Sequence, residues 1–213
     1  MEQHQSYLHP LPSPCHGSSE GSANDQPFET PRVLYIHHLG LTSRRAHILD
    51  SDKKTVLYRI RANKGGLFSS KPHITVHSGT THRVVGTVSF HRMSTVIDLE
   101  IHHQTIPLLR LGLFTSAHRF ESPTSRSLLK WKRDGLLNGG DMVCVDRQQV
   151  LIARFERSKR PRWKDGKFMI SPGVEGRWMD EVVVSGLAMV QYHKRQKKRA
   201  AALSRGHVGD MVS

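Results

Sequence analysis

The apolar run from Val182 to Tyr192 passes without a break into His193, Lys194, Arg195, Gln196, Lys197, Lys198 and Arg199, and nothing upstream resembles it. The run is too short and too polar to cross a bilayer, which takes about 20 apolar residues. Its apolar part must therefore be buried inside the protein. Asp180 and Glu181 suit the first turn of a helix and Lys194 to Arg199 suit its end, because the aligned peptide dipoles favour anions at the start and cations at the finish. Val182 to Val190 is apolar nearly all round, as in a helix buried on every side. The sequence thus predicts a helix over about 179–202 whose first part lies in a core and whose basic part emerges from it. Three consecutive β-branched residues, Val182 to Val184, would also suit a strand. Gly186 costs a helix ~1 kcal/mol relative to Ala, and the close approach of a strand at that point would account for it.

Upstream, strand-like runs recur at the spacing of all-β folds, each bounded by turn residues. They fall at 33–38, 46–50, 55–61, 73–77, 83–91, 95–102, 106–111, 118–121, 127–132, 142–146, 150–157 and 167–171. Asp50, Ser51, Asp52 and Lys53, and Asn63, Lys64, Gly65 and Gly66, read as hairpin turns, since Asn, Asp and Gly tolerate positive φ. Several strands alternate: Val56, Tyr58 and Ile60 stand against Leu57, Arg59 and Arg61, and Leu151, Ala153 and Phe155 against Ile152, Arg154 and Glu156. One face is wet and the other apolar. A closed antiparallel barrel with an apolar lumen produces that pattern and removes its own edges. Eleven helical residues rise about 16 Å and a strand of five or six residues spans about 17–20 Å, so the apolar part of the helix fits such a lumen. The fold class expected is mainly β, a closed antiparallel barrel of about twelve strands around a buried hydrophobic C-terminal helix.

Residues 1–30 carry Ser, His, Pro, Gly and Gln with hardly any aliphatic side chains, which cannot repay the entropy of ordering. They are expected to form a disordered tail, residues 31–202 one barrel domain, and residues 203–213 a flexible end. Polar termini also explain a hydrophobic fraction of 37%, below the roughly 45% usual for globular chains. Cys15 in the tail and Cys144 in an apolar stretch make a poor disulfide pair, which suits a reducing compartment. The N-terminus shows no secretory signal, and no run of eighteen apolar residues occurs. The expected location is the cytoplasm, peripheral at a membrane, or the nucleus.

The net charge of +14, from 32 Lys and Arg against 18 Asp and Glu, favours acidic partners such as nucleic acid or anionic lipid. The excess gathers in two blocks. The first is a loop between strands holding Arg157, Lys159, Arg160, Arg162, Trp163, Lys164 and Lys167, in which an indole beside cations suits a headgroup interface. The bland alternative is a solvated loop with Trp163 folded back onto the barrel. The second block is Lys194, Arg195, Lys197, Lys198 and Arg199, where solubility and helix-dipole compensation are the bland account and a nuclear localisation signal is another.

Catalytic and metal chemistry find little support. His37 with His38 and His102 with His103 are adjacent pairs, and adjacent residues on a strand point to opposite faces, so each pair offers one ligand per face. No His-Glu-x-x-His or Cys-x-x-Cys accompanies them. Asp98 and Glu100 share a strand face about 6–7 Å apart, close to the spacing of paired glycosidase carboxylates, but Ile97, Leu99 and Ile101 opposite them make a polar outer stripe the simpler reading. Neither a nucleophile elbow nor a phosphate loop is present. No enzyme activity, cofactor or metal is expected.

Twelve strands followed by the segment Trp178, Met179, Asp180, Glu181, Val182, Val183, Val184, Ser185, Gly186, Leu187, Ala188, Met189 resemble the tubby C-terminal-like superfamily, which includes LURP-one-related proteins, phospholipid scramblases and a large set of uncharacterised fungal domains. The resemblance covers about 32–202, is one of layout, and is nearest in character to the fungal members. It implies a barrel around a central helix and association with membranes, through phosphoinositides in tubby-type domains. Arg59 and Arg61, two apart on a wet face, resemble the alternating basic pair of that lipid site. The Cys-rich stretch and acidic calcium segment of scramblases have no counterpart here. The function expected is binding of anionic phospholipid headgroups without catalysis. The alternatives are nucleic-acid binding by the same basic surface and a protein-interaction scaffold.

Overall fold

A computed structural model describes residues 30–39, 44–63, 72–91, 94–112, 114–135, 140–158 and 166–206. Of the tails expected at 1–30 and 203–213, residues 1–29 and 207–213 lie outside them, as do Cys15 and the Lys64–Gly66 part of the second turn. Twelve strands precede one helix: β1 (Arg32–Leu39), β2 (Arg45–Leu49), β3 (Val56–Ala62), β4 (Ile74–Ser78), β5 (Val84–Phe90), β6 (Ile97–Ile101), β7 (Gln104–Arg110), β8 (His118–Glu121), β9 (Leu128–Arg133), β10 (Met142–Val145), β11 (Leu151–Arg157), β12 (Gly166–Ile170) and α1 (Gly176–Gly206). Every strand pairs antiparallel with its neighbours in sequence, and β1 closes the barrel on β12 through Arg32↔Ile170 to Tyr35↔Lys167. Each strand therefore has a partner on both sides.

Side-chain alternation follows the pleat. Tyr58 points inward with 4% of its surface exposed, while Arg59 and Arg61 face solvent. One expected alternation is corrected. Cys144 pairs with Ala153 but Val145 with Leu151, so Ile152 is the extra residue of a bulge. The bulge turns Leu151 outward, 42% exposed, and buries Ile152, because a one-residue insertion moves whatever follows it to the other face. The His102–His103 pair is corrected as well: these residues form a two-residue turn between β6 and β7, with φ of 49° and 64°. Two consecutive positive φ values are what a twisted hairpin needs, so the pair does not straddle a sheet. Between β7 and β8 only Leu109↔Arg119 and Arg110↔His118 pair, and Pro107, which has no amide to give, stands where the ladder stops.

The helix fills the lumen. Val182, Val183, Val184, Ser185, Ala188 and Met189 are wholly buried. Val184 packs against Gly86 of β5, and Gly186 lies under the rings of Phe168 from β12 and Trp131 from β9. The approach expected at Gly186 is thus made by aromatic side chains rather than by strand backbone. Trp131 Nε1 donates to Ser185 Oγ at 2.9 Å, and Ser185 donates onward to the Val182 carbonyl at 3.1 Å.

Asp180 and Glu181 do not sit in the first turn, because α1 begins at Gly176 in a left-handed conformation (φ 54°). They anchor the helix to the wall instead. Tyr58 Oη donates to Asp180 Oδ1 at 2.6 Å, and His102 Nε2 lies 2.7 Å from Asp180 Oδ2. Glu181, 3% exposed, accepts from Ser122 Oγ, from Thr124 Oγ1 at 2.6 Å and from the Thr124 amide at 3.1 Å. At its other end α1 runs past the expected limit of 202, since Ala200, Ala201, Ala202 and Leu203 are all good helix formers.

Candidate functional site

Strand alternation fixes which loops share an end of the barrel. Asp180 meets the β6–β7 turn, while Arg195, lower on the same helix, lies over the ring of Phe90, the last residue of β5, at 4.5 Å. The helix therefore exits at the end that carries the β1–β2, β3–β4, β5–β6, β7–β8, β9–β10 and β11–β12 connections. The β11–β12 connection holds the first basic block. Lys159, Arg160, Arg162, Trp163 and Lys164 lie outside the described residues, but the residues flanking that stretch, Arg157 and Lys167, stand at the helix-exit end. The two described members of the first block thus share one end of the fold with the second.

Their members differ in environment. Lys194, Lys197, Lys198 and Arg199 are exposed, as the emergence of the basic part of the helix requires. Arg195 is half-buried: its charge is directed at the Phe90 face, and burial, reinforced by Arg199, holds its pKa below the ordinary arginine range. Arg157 is exposed, and its amide donates to Asp141 Oδ1 at 2.9 Å. Lys167 Nζ is 3.0 Å from Glu156 Oε2, and such a part-exposed pair is worth at most about 1 kcal/mol, so an anion of higher charge can compete for the lysine.

Arg59 and Arg61 stand on the outer wall, with Arg61 the nearer to the helix exit. Register places them in rows of basic side chains that sequence reasoning missed: Arg61 is opposite Arg45, and His37, His47, Arg59 and His77 lie side by side across β1 to β4. No sequence signal short of the pairing register would have found those rows. Burial, with Arg59 and His37 nearby, lowers the His47 pKa.

A recess of about 720 Å³ opens in the same wall between β1 and β12. Tyr35, His37, Lys53, Glu156, Arg157 and Lys167 are among the residues that line it. Asp98 and Glu100, by contrast, face outward from β6, with Asp98 Oδ2 2.5 Å from His91 Nε2. Among the described residues no group of three or more His, Cys, Asp or Glu is arranged to hold a metal, and no helix is long and apolar enough to cross a membrane. Cys144 is wholly buried, and burial raises its thiol pKa, keeping it protonated.

Beneath the exit, His193 and His118 flank the ring of Tyr192, with centroids 5.7 and 4.6 Å away. The Nε2 atoms of both His lack a hydrogen-bond partner. Burial first, then Arg133, His118 and Lys197, push the His193 pKa down from 6.5 to about 4. A depressed pKa means that the unfolded chain takes up the proton first, so stability is full above pH 6.5 and falls as the pH drops towards 4. Discounted for partial exposure, the loss is about 1–2 kcal/mol. Urea unfolding between pH 7 and pH 4.5 should show it, and His193→Phe should flatten the dependence; an unchanged slope would exclude His193 as its source.

No curated protein and no solved structure matches the chain. A family model matches residues 42–196, from just before β2 to the point where the helix has left the lumen. That stretch is most of the barrel together with the lumen part of α1, and on this match the chain belongs to DUF6593, a family of unknown function.

Proposed function

We propose that this barrel is a non-catalytic intracellular domain that binds anionic membrane lipids of phosphoinositide type, with the helix-exit end facing the bilayer. The observation that carries the reading is that Arg157 and Lys167, the described members of the first basic block, stand at the end from which the basic part of α1 emerges. A closed twelve-strand barrel around a C-terminal helix is also the layout implied by the resemblance to tubby C-terminal-like domains, and it supports placing DUF6593 beside them.

Magnitudes decide how many residues must take part. At about 1 kcal/mol per cation near an anionic surface, Lys194, Lys197, Lys198 and Arg199 supply at most about 4 kcal/mol, or roughly millimolar binding. Micromolar binding needs about 8 kcal/mol, and so needs the β11–β12 block as well. Cosedimentation with neutral, phosphatidylserine and phosphoinositide vesicles at low and physiological salt tests this. Replacing Lys197, Lys198 and Arg199 together by Gln should weaken phosphoinositide binding by up to roughly a hundredfold. Undiminished binding would overturn the reading, and binding to duplex nucleic acid with a steep salt slope in place of vesicles would transfer the same surface to nucleic acid.

A further inference from the structure

Beyond their last pair β7 and β8 part, and we infer that the recess between them seats an extended acidic segment of a partner protein. The recess holds about 580 Å³ and is lined by β7, β8, the β8–β9 and β10–β11 turns and the start of β9. All of those elements, and the β6–β7 turn beside them, lie within the described residues. The site stands at the end of the barrel away from the helix exit, so it does not depend on the membrane reading.

The backbone selects a peptide. The Leu111 amide donates to the Ala117 carbonyl at 3.0 Å, and the Ser122 amide donates to the Ser127 carbonyl at 2.9 Å. Backbone groups of a strand alternate between its two edges, so Thr105, Pro107 and Leu109 turn theirs towards β8, and Arg119 and Glu121 turn theirs towards β7. Leu109 still pairs with Arg119. One step further Pro107 has no amide to give to Glu121, and the ladder ends. Among the described residues the Thr105 and Glu121 amides have no partner. Donors and acceptors therefore face the recess together, along a stretch from Thr105 to Leu108 that spans about 13 Å. A phosphate or a fatty acid would use only the donors. An extended peptide uses both, by adding as a strand.

Charge selects its side chains. Arg119, Arg126 and Arg147 line the recess and are exposed, and among the described residues none of them forms a salt bridge. Glu121 is the one carboxylate in the lining. Side chains of a strand alternate between its faces, so a segment with a carboxylate at every second position sets them all on the outer face, beside these arginines. The residues between them turn towards Ile106 and Phe120 and are best apolar.

The test is fluorescence anisotropy of the full chain with a labelled eight-residue synthetic peptide that alternates glutamate and valine, at physiological salt. The peptide should bind one to one. Arg119→Gln with Arg147→Gln should weaken it roughly five- to thirtyfold, while Lys54→Gln with Arg83→Gln, which removes the same charge from other turns at that end, should change it by less than about twofold. N-methylation of the peptide's central amides keeps its charge but removes its donors, and should abolish binding. Failure of the parent peptide to bind, an equal loss in the two double variants, or undiminished binding of the methylated peptide would each overturn the proposal. Self-association of the chain that the Arg119 and Arg147 changes abolish would give the recess to a second copy and overturn it as well.

Discussion

A chain truncated after Glu175 is expected not to fold. The lumen is lined by inward side chains from all round the barrel, among them Tyr58, Val88, Leu99, Trp131 and Phe168, and α1 is what they pack against. Met179, Val182, Val183, Val184, Leu187, Met189 and Tyr192 would all be lost, each 8% exposed or less. At roughly 1.5–3 kcal/mol per large buried side chain, the helix alone contributes about 10–20 kcal/mol. That equals or exceeds the 5–15 kcal/mol net stability usual for a domain, before the wall loses its own half of each contact. Truncation after Ala200 is the control: it keeps every lumen residue through Tyr192 and removes Ala201, Ala202 and Ser204, which are exposed, so the fold should survive with its unfolding midpoint little changed. Circular dichroism and urea titration separate the two. A cooperative transition in the shorter chain would mean that the barrel holds itself up and that the helix is a guest. Recovery of that transition on adding a peptide of residues 176–206 would instead confirm that the helix is the missing core.

Much of this architecture is legible from the chain, and the places where it is not have a common cause. Strands and helix follow from local signals, which is why the expected strand at His118–Glu121 matches to the residue and the others to within two. Register is different, because it depends on which strands meet. Ile152 carries no mark of a bulge, and the alignment of His37, His47, Arg59 and His77 arises only once β1 to β4 are paired. The same holds for Asp180 and Glu181: acidic residues near a helix start match the dipole argument, yet their partners Tyr58, His102, Ser122 and Thr124 lie at least 57 positions away. For the candidate site, the two basic blocks are legible in the sequence, but that Arg157 and Lys167 stand at the helix-exit end follows only from the strand order.

Gly186→Val should be the most damaging single substitution in the helix, costing about 3 kcal/mol or more. A Cβ at this position would stand 2.6 Å from Phe168 Cε1 and 3.0 Å from both Phe168 Cζ and Trp131 Cζ2. Contact that close forces something to move, and neither ring has room. Phe168 and Trp131 are wholly buried, their centroids are 6.4 Å apart, and Phe155 closes the other side of Phe168 at 5.2 Å. Gly186→Ala sets two opposed terms against each other: it gains ~1 kcal/mol of helix propensity and incurs about 1–3 kcal/mol of overpacking. At 2.6 Å the second should win, leaving a net loss of about 1–2 kcal/mol, and Val adds two further methyl groups to the same collision. Phe168→Leu shortens the blocking side chain, so with Gly186→Ala it should cost less than the sum of the two single changes by at least about 0.5 kcal/mol. Urea midpoints for the four proteins of that cycle decide the matter. Stabilisation by Ala would show slack in the lumen at this level, and a cycle that simply added up would show that the Phe168 ring is not what excludes a side chain from position 186.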